Sequence, residues 1–260
     1  VCSLRDLLVT GRITQQRFDD RAQELCDRYF DLVLVHADPA LAALDESFRP
    51  ATPLRTPVEY TGFIRRSAGD APRGPRSGVV VSAGGGLVGE PVYRLAVDAH
   101  RRSWTAHGLH TTIVAGPFAP RPVLDWLNAE ASAGAGLTVV SHVPDLRPLL
   151  GAAAASVSQC GYNTALDLIA AQVPAIVLPY GDERENEQRR RAERLEARGV
   201  LRCAPFGLTA DALAADVLAL IGTTPSSAGL MLDGLEVTAR VLSEYLERRA
   251  MAAVAGGGRR

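Results

Sequence analysis

Residues 152–167 read AAAASVSQCGYNTALD, an apolar run that passes through small polar residues and a glycine into a helical pattern with an acid near its start. A strand that is apolar throughout and is followed by a helix is what a parallel sheet covered on both faces demands of its sequence. The stretch predicts a buried strand, a turn, and a helix whose first amide groups, lacking partners of their own, face the space beyond the carboxyl edge of the sheet.

The same alternation extends in both directions from Gly78 onward. Short β-type runs lie at 79–82, 111–116, 137–141, 153–158, 175–179 and 200–204, with helical patterns near 90–104, 120–130, 145–150, 161–171, 185–198 and 209–221. These predict an α/β, Rossmann-like parallel sheet with helices on both faces, about 150–170 residues in size and within the ordinary domain range. A last helix is expected near 229–249, with Met231, Leu235, Ala239, Leu242 and Leu246 on one stripe. Before Gly78, residues 13–29 have a helical apolar rhythm, FDLVLVHADP (30–39) reads as a helix end and a buried strand, and the Pro- and Arg-rich stretch 46–77 reads as a linker interrupted by PVEYTGFI. The expected division is 1–64, the end of a first domain and linker; 65–250, a second domain; and 251–260, a frayed tail. The chain opens on Val1 rather than Met, as if partway into something longer.

Composition narrows the chemistry. The chain has 260 residues, 47% hydrophobic and 22% charged, with a formal net charge of −1, which provides no field for a nucleic-acid partner. All 28 basic residues are arginine, so mechanisms that need a Schiff-base or Walker-type lysine are excluded. Cys2, Cys26, Cys160 and Cys203 are scattered, without C-x-x-C or metal-ligand spacing, which predicts no metal site and a reduced, cytoplasmic protein. No apolar stretch reaches the roughly 20 residues of a membrane helix.

In such sheets ligands bind beyond the carboxyl ends of the strands, and three loops there are candidates. In SAGGGLVGE (82–90), Gly84, Gly85 and Gly86 let the backbone approach a ligand and aim its amides at an anion, although a tight βα turn without a ligand has the same composition. Its spacing fits neither a dinucleotide fingerprint nor a phosphate-binding P-loop. In the opening stretch, Ser158, Gly161, Tyr162, Asn163 and Thr164 cluster at the strand-to-helix turn in a geometry suited to a diphosphate, and Asp167 can accept hydrogen bonds from a ribose diol. The alternative is that Ser158 or Asn163 caps the helix and Asp167 complements its dipole. In YGDERENEQRRRAERL (180–195), Glu187 and Gln188 can read sugar hydroxyls, while Arg189, Arg190, Arg191 and Arg194 are expected on a solvated face.

Together, GYNTALD, A-x-x-VPAIVLP and ENEQRRRAERL resemble the C-terminal, donor-binding half of GT-B glycosyltransferases. The resemblance is closest to the MurG-type family, which transfers N-acetylglucosamine from UDP, and to related predicted bacterial glycosyltransferases. SLRDLL, LVLVHADP and YTGF resemble the closing part of the first domain in that predicted set.

The resemblance implies a metal-independent hexosyltransferase that uses a nucleotide-diphosphate sugar, UDP-linked, with no cofactor, and an acceptor that the sequence does not name. It places the glycine loop near the diphosphate and acceptor, the backbone at Val143 against the nucleobase, Gly161–Thr164 on the diphosphate, Asp167 on the ribose, and Glu187 and Gln188 on the sugar. Asp167 stands where the family usually has glutamate, and Glu187 where Gln or Asp is more common. The absence of a D-x-D motif agrees with metal independence. The family's general base comes from the early part of the first domain, so none is assigned; His36 and Asp38 follow a strand, a place where a lone histidine is more often structural than catalytic. Two further readings follow: a non-catalytic nucleotide-sugar-binding subunit that needs a separate acceptor-domain protein, and a UDP-sugar 2-epimerase. The first would be marked by Leu7, Leu8, Phe18, Phe30 and Leu32 lacking strands to pack against; the second needs carboxylates and histidines from both domains, and few are visible.

Overall fold

The computed structural model describes all residues except 7, 9, 11–12, 65–73, 182–185 and 258–260, with the side chains of 252–257 also left aside. The chain divides into two compact units, the first being Val1–Leu8, Arg12–Arg65 and Gly229–Arg260, and the second Val9–Gly11 and Arg66–Ala228. No helix among the described residues is long and apolar enough to cross a membrane.

In the first unit, β1 (Cys2–Leu4), α1 (Gln15–Tyr29), β2 (Val33–Val35) and β3 (Val58–Tyr60) build a three-stranded parallel sheet of order β1-β2-β3. The helix expected over 13–29 forms, but its faces are reversed relative to its hydrophobic pattern. Asp19 and Gln23 are buried while Phe18, Leu25 and Tyr29 are exposed. The cause is a polar seam: Asp19 Oδ2 accepts from Arg49 N (3.0 Å), Asp20 Oδ1 from Ala51 N (2.7 Å), and Asp27 Oδ1 from Arg55 N and Thr56 N (both 2.9 Å). One helix thereby satisfies the amides of a segment with few partners of its own.

In the second unit strands alternate with helices: β4 (Val79–Ser82), α2 (Glu90–Ala99, continued by a π-helical stretch at His100–Trp104), β5 (Thr111–Val114), α3 (Arg121–Ala133), β6 (Leu137–Val140), α4 (Arg147–Ala152), β7 (Ala155–Ser158), α5 (Tyr162–Ala171), β8 (Ala175–Val177), α6 (Glu187–Ala197), β9 (Arg202–Cys203) and α7 (Ala210–Leu220). All strand pairs are parallel in the order β6-β5-β4-β7-β8-β9. Helix α2 packs on α3 and α7, and α4 packs on α5, which covers both faces. The order reverses between β4 and β7, where Ser82 lies opposite Ser158. A crevice opens there by topology. Beneath it Tyr93, Trp104, Ile113 and Ile176 are buried, each contributing about 1.5–3 kcal/mol by leaving water.

The last helix, α8 (Gly234–Gly257), groups with the first unit and not with residues 66–228. Phe63 N donates to Met231 O (2.8 Å), Gly234 N to Phe63 O (3.1 Å), and Met231 N to Asp38 Oδ2 (3.3 Å). Its expected stripe is not a buried one, since Leu235 and Leu246 are exposed.

Candidate functional site

The glycine loop leaves β4 at the switch point. Gly84 and Gly86 have φ of +55° and +88°, a region where glycine is favoured. Their surroundings differ. A Cβ on Gly84 would meet nothing within 4 Å, whereas one on Gly86 would lie 2.0 Å from Ala115 O. That carbonyl also accepts from the buried Tyr93 hydroxyl at 2.7 Å, and burial pushes the Tyr93 phenol's pKa up. The loop is thus seated from behind on Ala115, while Gly84 and Gly85 are exposed. Among the described residues their amides donate to no backbone carbonyl.

At the end of β7, Gly161 is the N-cap of α5, and no side chain caps the helix, so neither Ser158 nor Asn163 plays the capping role. A Cβ on Gly161 would meet nothing within 4 Å, Asn163 is exposed, Tyr162 is half-buried and Thr164 is buried. The turn is open to an incoming group, and the first amides of α5 lie in it without intrahelical acceptors. Ser158 does not belong with them. It is fully buried, with its Oγ 3.5 Å from Ser156 Oγ, so its hydroxyl is not presented to the crevice. Gln159, passed over in the sequence, ties the two loops: its N donates to Ser82 O (3.3 Å) and its Nε2 to Val88 O (3.1 Å).

Asp167 is half-buried on α5, and Val143, in the loop after β6, is half-buried as well. That loop is closed by Arg147, whose Nε and Nη2 donate to Asp145 Oδ1 (2.9 Å) and Oδ2 (2.7 Å). The Asp145 hydrogen bond raises the Arg147 pKa, burial opposes it, and the charges of Asp145 and Asp167 add to the rise. Asp167 is therefore near enough to Arg147 for their charges to interact.

The third motif meets the second directly. Gln188 Oε1 accepts from Cys160 N (3.0 Å) and from Tyr180 N (3.1 Å), joining the loops after β7 and β8. Its carbonyl is therefore committed to the backbone and not available to a sugar. Glu187 is half-buried, and its Oε2 is buried without a hydrogen-bond partner among the described residues. The solvated arginine face is corrected at two positions. Arg191 is buried at 4% exposure with its Nη1 on Cys160 O (2.6 Å), and Arg189 Nη1 donates to Ala204 O (2.8 Å) while its guanidinium covers the Phe206 ring at 4.2 Å. Both side chains turn inward onto backbone carbonyls, where a guanidinium donor satisfies a peptide acceptor.

An apolar cleft of about 400 Å³ lies beside Gln159, between Val88, Leu95, Tyr180 and Phe206; none of the site residues expected from the sequence lines it. In the first unit, His36 bonds Ser3 Oγ (2.7 Å) and Thr61 Oγ1 (2.8 Å) through its two ring nitrogens, and burial lowers its pKa. Asp38 is buried and accepts from Ala40 N (2.8 Å) and Met231 N. Both serve the fold. No group of three or more His, Cys, Asp or Glu among the described residues is arranged to hold a metal ion. Leu7 lies outside the described residues, Leu8 is half-buried, and Leu32 is buried at the start of β2, which leaves Phe18 and Phe30 as the exposed members of that set.

Comparison with known proteins bears on this geometry. Residues 106–221 match the glycosyltransferase family 28 C-terminal domain. The chain is 27% identical over 223 residues to the UDP-N-acetylglucosamine–N-acetylmuramyl-(pentapeptide) pyrophosphoryl-undecaprenol N-acetylglucosamine transferase of Sorangium cellulosum (strain So ce56), covering 81% of this chain and 54% of that protein. It thus spans about half the length of the curated relative it matches. Among solved structures, MurG of Acinetobacter baumannii is similar with a TM-score of 0.54 and 16% identity, over 85% of this chain and 58% of that one. The UDP-GlcNAc 2-epimerase of Methanocaldococcus jannaschii, solved with UDP-GlcNAc and UDP, has a TM-score of 0.55 and 10% identity, over 88% of this chain and 80% of that one. At such identities the likeness to solved structures is one of fold.

Proposed function

We propose that this chain, which carries the MurG-like C-terminal half of a GT-B fold, binds a UDP-linked hexose and serves the transfer of its hexosyl group to an acceptor hydroxyl. The observation that carries the reading is the convergence of the second and third motifs: Gln188 in the first turn of α6 holds Cys160, the residue before the N-cap of α5. The amides of Gly84 and Gly85 and the first turn of α5 then receive the diphosphate. As the sugar–phosphate bond breaks, negative charge grows on the leaving diphosphate, and fixed amides with the positive end of a helix stabilise it with little reorganisation. Asp167 accepts from the ribose hydroxyls, the backbone at Val143 meets the base, and Glu187, half-buried at the start of α6, contacts the sugar. The acceptor hydroxyl must lose a proton, and His36 and Asp38, committed within the fold, are not assigned that role.

Calorimetry with UDP, GDP, dTDP and ADP on the whole chain and on Asp167→Ala tests this. Saturable binding of UDP that weakens about tenfold or more in the variant is expected, the size of a hydrogen bond to a charged group. A folded chain that binds none of the four sinks the reading.

The exposed Phe18, Leu25 and Tyr29 on one side of α1 favour a second reading in which turnover needs further protein surface, supplied by more of the same polypeptide or by a separate acceptor-domain protein. Nucleotide binding by this chain without turnover, with turnover restored by such a protein, is its signature.

A further inference from the structure

Cys160 is held on both sides of its backbone by one helix. Gln188 Oε1 accepts from its amide at 3.0 Å, and Arg191 Nη1 donates to its carbonyl at 2.6 Å. The two side chains are three residues apart on α6 and so share a face. The Arg191 guanidinium also sits 6.0 Å from the centre of the Tyr162 ring, so it lies within one residue of the N-cap Gly161 on either side. Gly161 has no Cβ and no capping side chain to fix the turn for itself. Arg191 is buried at 4% exposure, whereas a run of arginines suggests an exposed position.

We propose that Arg191 and Gln188 are positioning residues for the donor diphosphate, which rests on the reading of α5 as the diphosphate site. Two effects follow. The paired hydrogen bonds fix the plane of the Cys160 peptide and with it the direction of the first amides of α5, so the anion meets a preformed turn. The buried positive charge sits behind that turn in a low-dielectric setting, where its attraction for a diphosphate is screened less than at the surface. A neutral nucleoside feels neither effect.

The test compares affinities for UDP and for uridine in the whole chain, Arg191→Ala, Arg191→Lys and Gln188→Ala, with folding checked by cooperative urea unfolding. Arg191→Ala is expected to weaken UDP by about 10- to 100-fold, the worth of a hydrogen bond involving a charged group, and to leave uridine within about twofold. Arg191→Lys keeps the charge and one donor and recovers part of the loss. Gln188→Ala weakens UDP less than Arg191→Ala, since it removes no charge. Equal loss for UDP and uridine means general damage and overturns the proposal, as does unchanged UDP binding in a folded Arg191→Ala. If Arg191→Ala does not fold, the lysine variant decides: full wild-type UDP affinity together with a changed uridine affinity overturns the proposal. Failure of the unaltered chain to bind UDP, GDP, dTDP or ADP instead refutes the diphosphate site itself, and the positioning role with it.

Discussion

Replacing Gly86 by alanine tests whether the glycine loop is seated on Ala115 as the geometry indicates, and Gly84→Ala supplies the control within the same loop. Both residues have positive φ, so each alanine incurs a left-handed penalty of about 1–2 kcal/mol. At Gly84 nothing else is met within 4 Å, so the penalty ends there. At Gly86 the new Cβ would lie 2.0 Å from Ala115 O, inside any tolerable contact, and the loop or the carbonyl must move. Movement of the carbonyl weakens its 2.7 Å bond from the buried Tyr93 hydroxyl, a further loss of about 0.5–1.5 kcal/mol. Gly86→Ala is therefore expected to destabilise the protein by about 1.5–3.5 kcal/mol and Gly84→Ala by about 1–2 kcal/mol. Urea unfolding followed by circular dichroism measures both, and with a urea dependence of about 1–3 kcal/mol per molar the Gly86 midpoint falls by about 1 M. A Tyr93→Phe background sharpens the comparison: once the hydroxyl is gone, the excess cost at Gly86 should shrink. Equal destabilisation by the two alanines, or an excess unchanged by Tyr93→Phe, refutes the claim that the loop is supported through Ala115.

Two further outcomes concern the first unit. Burial alone would raise the Asp27 pKa, but the hydrogen bonds from Thr56 and Arg55 outweigh it and hold the carboxyl well below the usual range. A depressed folded-state pKa gives stability that is present above the unfolded value of about 3.9 and is lost as pH falls toward the folded one. Asp27→Asn should accordingly be less stable at pH 7 and lose less stability between pH 6 and pH 3; parallel stability–pH curves for the two proteins would contradict the assignment. Cys26 lies near enough to Cys2 for the two thiols to influence each other, and both are half-exposed. Glutathione disulfide should convert them to a Cys2–Cys26 bridge, one thiolate attacking it to release glutathione and the other then displacing the second glutathione. Because burial and the neighbouring Cys2 push the Cys26 pKa up, the reaction should quicken as pH rises above the ordinary thiol range, where the thiolate fraction grows. Peptide mapping that finds persistent glutathione on Cys26, or modification of the buried Cys160 or Cys203 in its place, would rule the pair out.

What the sequence made legible, and what it hid, divides along a physical line. The strands of the second unit could be read because a parallel strand buried on both faces must be apolar throughout, and AAASVS, AIVLP and VVVS satisfy that with no knowledge of their neighbours. Their ends were overestimated where apolar residues such as Leu178 continue past the last ladder position, Val177. Glycines at the crevice were legible for a similar reason, since an open turn needs a small residue whatever lies opposite. The errors fall where a side chain answers a backbone atom far away in sequence. Asp19 and Asp27 turn inward because the amides of Arg49, Arg55 and Thr56 need acceptors, and hydrophobic periodicity, which assumes water on the polar side of a helix, assigns α1 the opposite face. Arg191 turns inward onto the Cys160 carbonyl, a contact invisible in a run of charges. Ser158 was a different kind of miss, one that parity could have caught: two residues from Ser156 on a strand, it shares that residue's face, and both are fully buried. A site of this construction has a ligand side built from glycines and amides, which leave a trace in the sequence. Its supporting side is built from long polar chains, and their partners are peptide groups that every residue possesses and none advertises. Substitutions chosen by motif alone will therefore sample the first layer and leave the second, Arg191 and Gln159 among it, untested.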